Sequence, residues 1–211
     1  MPARMHARSP RHGQSVDGRD RREKSRGQAL VEFALVFPIF FTLILGVIEF
    51  AFVFNALLSV NYAARDAALA AAEAGDTTGA DCVILQAVES AMGPPTDEDR
   101  IQSVEIYEAN ANGGQIGSPT TYTRTSSTTC NFLDGTTATV PYSRTANGYP
   151  EANRCNILGG CDPLLTDSVD NIAVRITYTH VWVTPLRNFV GGNPGGLTFD
   201  RSSVMRMEPI L

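Results

Sequence analysis

Residues 33–54 read Phe-Ala-Leu-Val-Phe-Pro-Ile-Phe-Phe-Thr-Leu-Ile-Leu-Gly-Val-Ile-Glu-Phe-Ala-Phe-Val-Phe, with Glu49 the only charge and Thr42 the only other polar side chain. Coiled as an α-helix, this run rises about 33 Å, enough to cross the hydrocarbon layer of a bilayer. Nothing later in the chain compares with it, so one crossing is expected, with the lipid bilayer as its first partner. Pro38 and Gly46 lie inside the run, where such residues are tolerated and can bend a helix or let a neighbouring helix approach. Glu49 stands seventeen residues after Glu32, about 26 Å along the axis. It is expected at the outer boundary, reaching the interface or a polar group on a partner helix.

Charge is divided sharply at the start of this run. Residues 1–27 carry eight Arg or Lys (Arg4, Arg8, Arg11, Arg19, Arg21, Arg22, Lys24 and Arg26) against Asp17, Asp20 and Glu23, a net charge of +5. The remainder holds nine basic and nineteen acidic residues, a net charge of −10. Basic residues directly before an apolar span hold that end on the cytoplasmic side, which places the acidic body outside. A nucleic-acid arm is the rival for the basic head, but an acidic body repels phosphates, and no nucleic-acid partner is expected. An ordinary secretory signal has a shorter apolar core with its small-residue cleavage site after it. Here the conspicuous small residue, Gly27, precedes the core, and cleavage there removes the basic head while leaving the helix on the mature protein. Cleavage beyond the span, near Ala56 or Ala63, is the alternative.

The junction reads Arg26-Gly27-Gln28-Ala29-Leu30-Val31-Glu32-Phe33-Ala34-Leu35-Val36-Phe37-Pro38. This segment resembles the TadE-like family, minor pilin-like proteins of tight-adherence pilus systems, and the resemblance covers the leader junction and the first helix. It implies that a membrane-embedded prepilin peptidase cuts after Gly27. Gln28 then becomes the amino terminus, Glu32 the fifth mature residue and Phe33 the aromatic after it. It also implies other pilin-like subunits and pilus assembly proteins as partners, and residence in the inner (cytoplasmic) membrane with possible passage into a surface pilus. A physical argument stands beside the resemblance. A carboxylate at the edge of an apolar run is costly without a partner, and cleavage creates an amine one helical turn from Glu32. That pair can close within one helix, in the favourable first turn of the helix dipole, or between neighbouring helices, where it sets axial register.

After the span, residues 55–74 are rich in Ala and free of Pro, and Gly75 is a natural stop. The helix is predicted over about residues 29–74, with Leu57, Val60, Ala64, Ala67, Ala68 and Ala71 forming a stripe that packs on an outer domain. Residues 76–211 change character, being rich in Thr, Ser, Asn, Gly and Pro, with short β-prone runs between turn signals. A short helix is predicted at 80–92. Strands are predicted near 101–109, 115–125, 136–143, 171–184 and 197–207, with Asn112-Gly113-Gly114 as a hairpin turn. The clearest strand carries Ile172, Val174, Ile176, Tyr178, His180 and Trp182 on one face and should be central. The architecture expected is α+β: a basic cytoplasmic leader (1–27), a transmembrane and extended helix (28–75), and a small extracytoplasmic, antiparallel-sheet domain (76–211), a pilin-like layout.

Candidates for chemistry are few. Cys82, Cys130, Cys155 and Cys161 all follow the span, an even number suited to disulfides in an oxidising compartment. Cys155–Cys161 would close a small loop and Cys82–Cys130 a long one, although three pairings are open. A zinc site lacks a CxxC pair and a nearby His, and no metal or cofactor is expected. His180, the only His after the leader, reads as a packed or hydrogen-bonded residue, since no Ser, Cys or carboxylate motif marks a catalytic partner. Residues 191–196, Gly-Gly-Asn-Pro-Gly-Gly, lack a phosphate-cradle fingerprint and read as a hairpin loop. Asp134-Gly135-Thr136-Thr137-Ala138 begins like an adhesion metal motif, but Ala138 stands where a hydroxyl is needed. An enzyme is therefore not expected. The rival to a pilin-like subunit is a permanently anchored surface adhesin or binding module.

Overall fold

The computed structural model describes residues 17–94, 96–132, 134–157, 161, 169–190 and 195–209. Most of the basic leader and residues 191–194 lie outside the described residues. Two compact units divide the chain, one ending at Gly46 and the other running from Val47 to Leu211.

The first helix, α1, spans Asp17–Ala74. It begins twelve residues before the predicted start. The leader sequence from Asp17 supplies Arg, Glu and Lys, good helix formers. The predicted end holds. Gly75 takes a left-handed conformation with φ 58°, and a Cβ there would have to displace the Asn156 side chain, so Gly is favoured at this stop.

In the second unit, the later part of α1 is core. Ala56, Val60, Ala63, Ala64, Ala67, Ala68, Ala71 and Ala72 are buried, a stripe of small side chains at helical spacing that lets the helix lie close on a sheet. Helix α2 (Ala80–Ala91) adds Ile84, Leu85 and Val88. The strands are β1 (Ile101–Ala109), β2 (Gln115–Thr123), β3 (Thr128–Asn131), β4 (Thr137–Val140), β5 (Ser143–Asn147), β6 (Asn171–His180) and β7 (Leu197–Arg206), with a one-turn helix α3 (Arg187–Val190) between the last two. Five of them form an antiparallel sheet in the order β5-β2-β1-β6-β7, and β3 pairs with β4 in a separate hairpin. The fold is thus α+β, a long apolar helix followed by an antiparallel sheet domain.

Strand β6 is interior, hydrogen-bonded to β1 on one side and β7 on the other. Its row Ile172, Val174, Ile176, Tyr178 and His180 is buried, facing the α1 stripe in one hydrophobic core. Trp182, predicted on that row, lies beyond the strand's end at His180. The β1–β2 connection is the predicted hairpin, with Asn110 N–H bonded to the Gly114 carbonyl at 2.8 Å and Gly113 at φ 81°. The single strand predicted at 136–143 is two. Pro141 has no N–H to continue the β3–β4 ladder, and the chain crosses to pair β5 with β2 instead. Strand β3 was not predicted, because Thr-Thr-Cys-Asn is too short and too polar to give an alternating pattern.

Candidate processing and membrane-anchoring site

At the junction, Gly27 lies inside α1 with no atom within 4 Å of the position a Cβ would occupy, and its φ is not in the left-handed region. Gln28 Nε2 donates to Glu32 Oε1 at 3.0 Å, an exposed contact across one helical turn. Phe33 and Phe37 follow with ring centroids 5.3 Å apart, and Phe37 and Phe41 at 5.7 Å, so three aromatics four residues apart line one side of the helix. Thr42 Oγ1 donates to the Pro38 carbonyl at 2.8 Å, turning a polar group of the span back onto its own backbone. Leu35, Val36, Ile39, Phe40 and Leu43 are exposed, as a helix facing lipid requires. Gly46 is half-exposed.

Glu49 has partners that the sequence did not indicate: its carboxylate is buried at 2% exposure and bonded within its own chain. Oε1 is 3.0 Å from His180 Nε2 and accepts from Val183 N–H at 3.1 Å, while Oε2 accepts from Thr184 N–H at 2.7 Å. The physical reason is depth: a carboxylate near the end of an apolar run is stabilised by whatever donors can be brought to it. The domain supplies three, from the end of β6 and the residues after it. His180 is accordingly a hydrogen-bonded buried residue, as the sequence indicates.

Farther from the span, a second set of buried polar groups ties α2 to the sheet. Glu151 accepts from the backbone N–H groups of Gly79 and Asp81 at 3.3 and 2.7 Å, capping the amino terminus of α2 from seventy residues away. Asp81 pairs with the buried Arg154 guanidinium and accepts from the Tyr122 hydroxyl at 2.6 Å. Arg154 lies over the Tyr149 ring at 5.5 Å, and among the described residues its Nε and Nη1 have no hydrogen-bond partner. Tyr142 donates to Glu89 at 2.5 Å, and Tyr149 to Asp170 at 2.8 Å. Burial first, and the adjoining carboxylates second, push the Tyr122, Tyr142 and Tyr149 phenols well above their ordinary value. A cavity of about 490 Å³ opens beside this network, its wall including Cys82 and Cys130. None of these pairs carries a sequence signal, since the partners are far apart in the chain and belong to no motif.

Cys82 is bonded to Cys130 and Cys155 to Cys161. Asp134 Oδ1 accepts from the Thr136 N–H at 2.9 Å and hydroxyl at 2.6 Å. These bonds hold its carboxyl below the usual range and close the β3–β4 turn. Among the described residues, no three His, Cys, Asp or Glu side chains gather as metal ligands.

One helix, Gly27–Ala74, is long and apolar enough to cross a membrane, and its second half supplies the core of a sheet domain. Among the described residues, that layout suggests a single-pass membrane anchor joined to an α+β domain. Residues 27–69 match the family model described as TadE-like protein. The matched segment opens at Gly27 and ends within α1, so the sheet domain lies beyond it. No curated protein and no solved structure matches the chain.

Proposed function

We propose that the protein is a minor pilin-like subunit supporting assembly of a tight-adherence pilus or secretion system, made as a precursor and cut after Gly27 by a prepilin peptidase. The basic leader stays in the cytoplasm, and the acidic sheet domain stands outside. The observation that carries this reading is Gly27 itself. A glycine inside a helix costs about 1 kcal/mol relative to Ala, yet Gly27 has open space around it and a backbone that any residue can adopt. Packing gives no reason for glycine there; a protease that admits only a minimal side chain at the scissile bond does.

Glu32 supports the second half of the reading. It is exposed at the edge of the apolar run and, among the described residues, bonded to the Gln28 side chain, a contact that can give way to the new amine of Gln28 or that of a neighbouring helix. No catalytic step belongs to this function. Glu49 pairs with His180 and Asp81 with Arg154 in the same chain.

Replacing Gly27 with Leu tests processing: the precursor should accumulate at full mass while the sheet domain keeps its fold. Glu32→Ala tests assembly. That chain should be cut normally yet lose co-purification with the other pilin-like subunits; unchanged co-purification would remove Glu32 from the assembly role.

A further inference from the structure

The residues joining β6 to α3 have a composition that a water-facing loop does not need. Positions 181–186 read Val-Trp-Val-Thr-Pro-Leu, without a charge between His180 and Arg187. Val181 and Val183 are 39% and 56% exposed, and Trp182 between them is the chain's only tryptophan. The Glu49 carboxylate fixes where this segment lies, since it bonds the backbone N–H of Val183 and of Thr184 directly.

Glu49 belongs to the apolar run, five residues before its last residue, Phe54, or about 8 Å along the axis. The helix around it leaves Val47, Ile48, Phe50 and Phe54 uncovered, Val47 and Phe50 at 71% and 69% exposure. Uncovered apolar side chains of a spanning helix and those of segment 181–186 therefore share one level, tied together by hydrogen bonds to one carboxylate. A surface that continues a lipid-facing helix at the same depth faces the same solvent. Tryptophan is enriched at that depth, where its ring meets the headgroup boundary.

We propose that residues 181–186 form a second membrane contact: the segment lies in the outer headgroup layer beside the span, seating the sheet domain directly on the bilayer. Glu49 is then a fastening and not a misplaced charge, because its bonds to Val183 and Thr184 keep the segment at the lipid surface. The contact rests on the single-pass anchoring of the chain and is independent of leader cleavage or pilus assembly.

Trp182 is a built-in reporter. The full chain is placed in vesicles of phosphatidylcholine and phosphatidylglycerol whose acyl chains carry bromine either near the carbonyl end or near the terminal methyl. Bromine near the carbonyl end should quench Trp182 emission roughly twofold more than bromine near the methyl, as an interfacial ring requires. Acrylamide in the water should quench it weakly, and Val183→Asp, at an exposed position, should reduce the bromine quenching. Strong acrylamide quenching with no effect of either lipid overturns the proposal. So does protection from both acrylamide and bromine, which would mean that protein covers the segment. A second chain, with Trp182→Phe and Phe41→Trp, separates this proposal from the anchoring. If Trp at 41 is quenched by the deep bromine while Trp182 is not, the segment alone is off the membrane. If neither responds, the helix itself is not in the bilayer.

Discussion

Glu49 shows how a single charge in an apolar helix is accommodated. Three donors converge on it, and a truncated side chain would leave them buried without an acceptor, which costs more than the bonds themselves contribute. Glu49→Ala should therefore destabilise the outer domain by about 3 kcal/mol, and Glu49→Gln, which keeps one acceptor oxygen, by clearly less; thermal unfolding of the full chain in detergent measures both. An Ala variant as stable as the parent would mean that water replaces the carboxylate. The buried phenols make a second prediction at this scale. Because the Tyr122, Tyr142 and Tyr149 hydroxyls sit above their ordinary value of 10.0 in the fold, the folded state holds these protons more tightly than the unfolded chain does. Their contribution is complete below pH 10 and is lost as pH rises further through their folded values. Stability should fall steeply in that window, with phenolate absorbance from these three appearing only on unfolding. Sequence made Glu49 visible as an anomaly and His180 visible as a member of an alternating row. It could not join them, since they are 131 residues apart and belong to no shared motif.

At the scale of elements, legibility followed periodicity. The alanine-rich part of α1 and the alternating row of β6 each carry a pattern repeated often enough to read, and both pack as the pattern requires. Strands β3 and β5 do not. They are short and polar, and backbone pairing with a neighbour holds them, together with the Cys82–Cys130 bond for β3. That bond spans a sequence separation of 48 and the Cys155–Cys161 bond one of 6. Closure entropy for loops of these lengths gives about 4 and about 2 kcal/mol respectively. Replacing Cys82 and Cys130 with Ser should accordingly lower the denaturation midpoint much further than replacing Cys155 and Cys161; the reverse order would place the anchoring role of the bridges elsewhere. The small-residue stripe gives a complementary test. Ala64→Leu should cost about 2 kcal/mol by overpacking a buried position, whereas Leu at the exposed Asp66 should be nearly neutral.

For the molecule as a whole, the apolar run and the charge division around it determined the most. They made single-pass anchoring and an α+β layout readable before any coordinate, and the family match over residues 27–69 agrees with the motif at Gly27. The sheet domain contributed little to that reading, because its buried polar pairs join residues distant in sequence. In the function proposed above, one apolar helix, a glycine that packing does not require and the Glu32 carboxylate one turn beyond Gln28 belong to a precursor cut after Gly27. The most direct test is the amino-terminal residue of the membrane-extracted native protein, determined by mass spectrometry from cells with and without the prepilin peptidase. The account predicts Gln28 when the peptidase is present and an intact leader when it is absent. An amino terminus at Met1 in both, or one beyond residue 55, would contradict it.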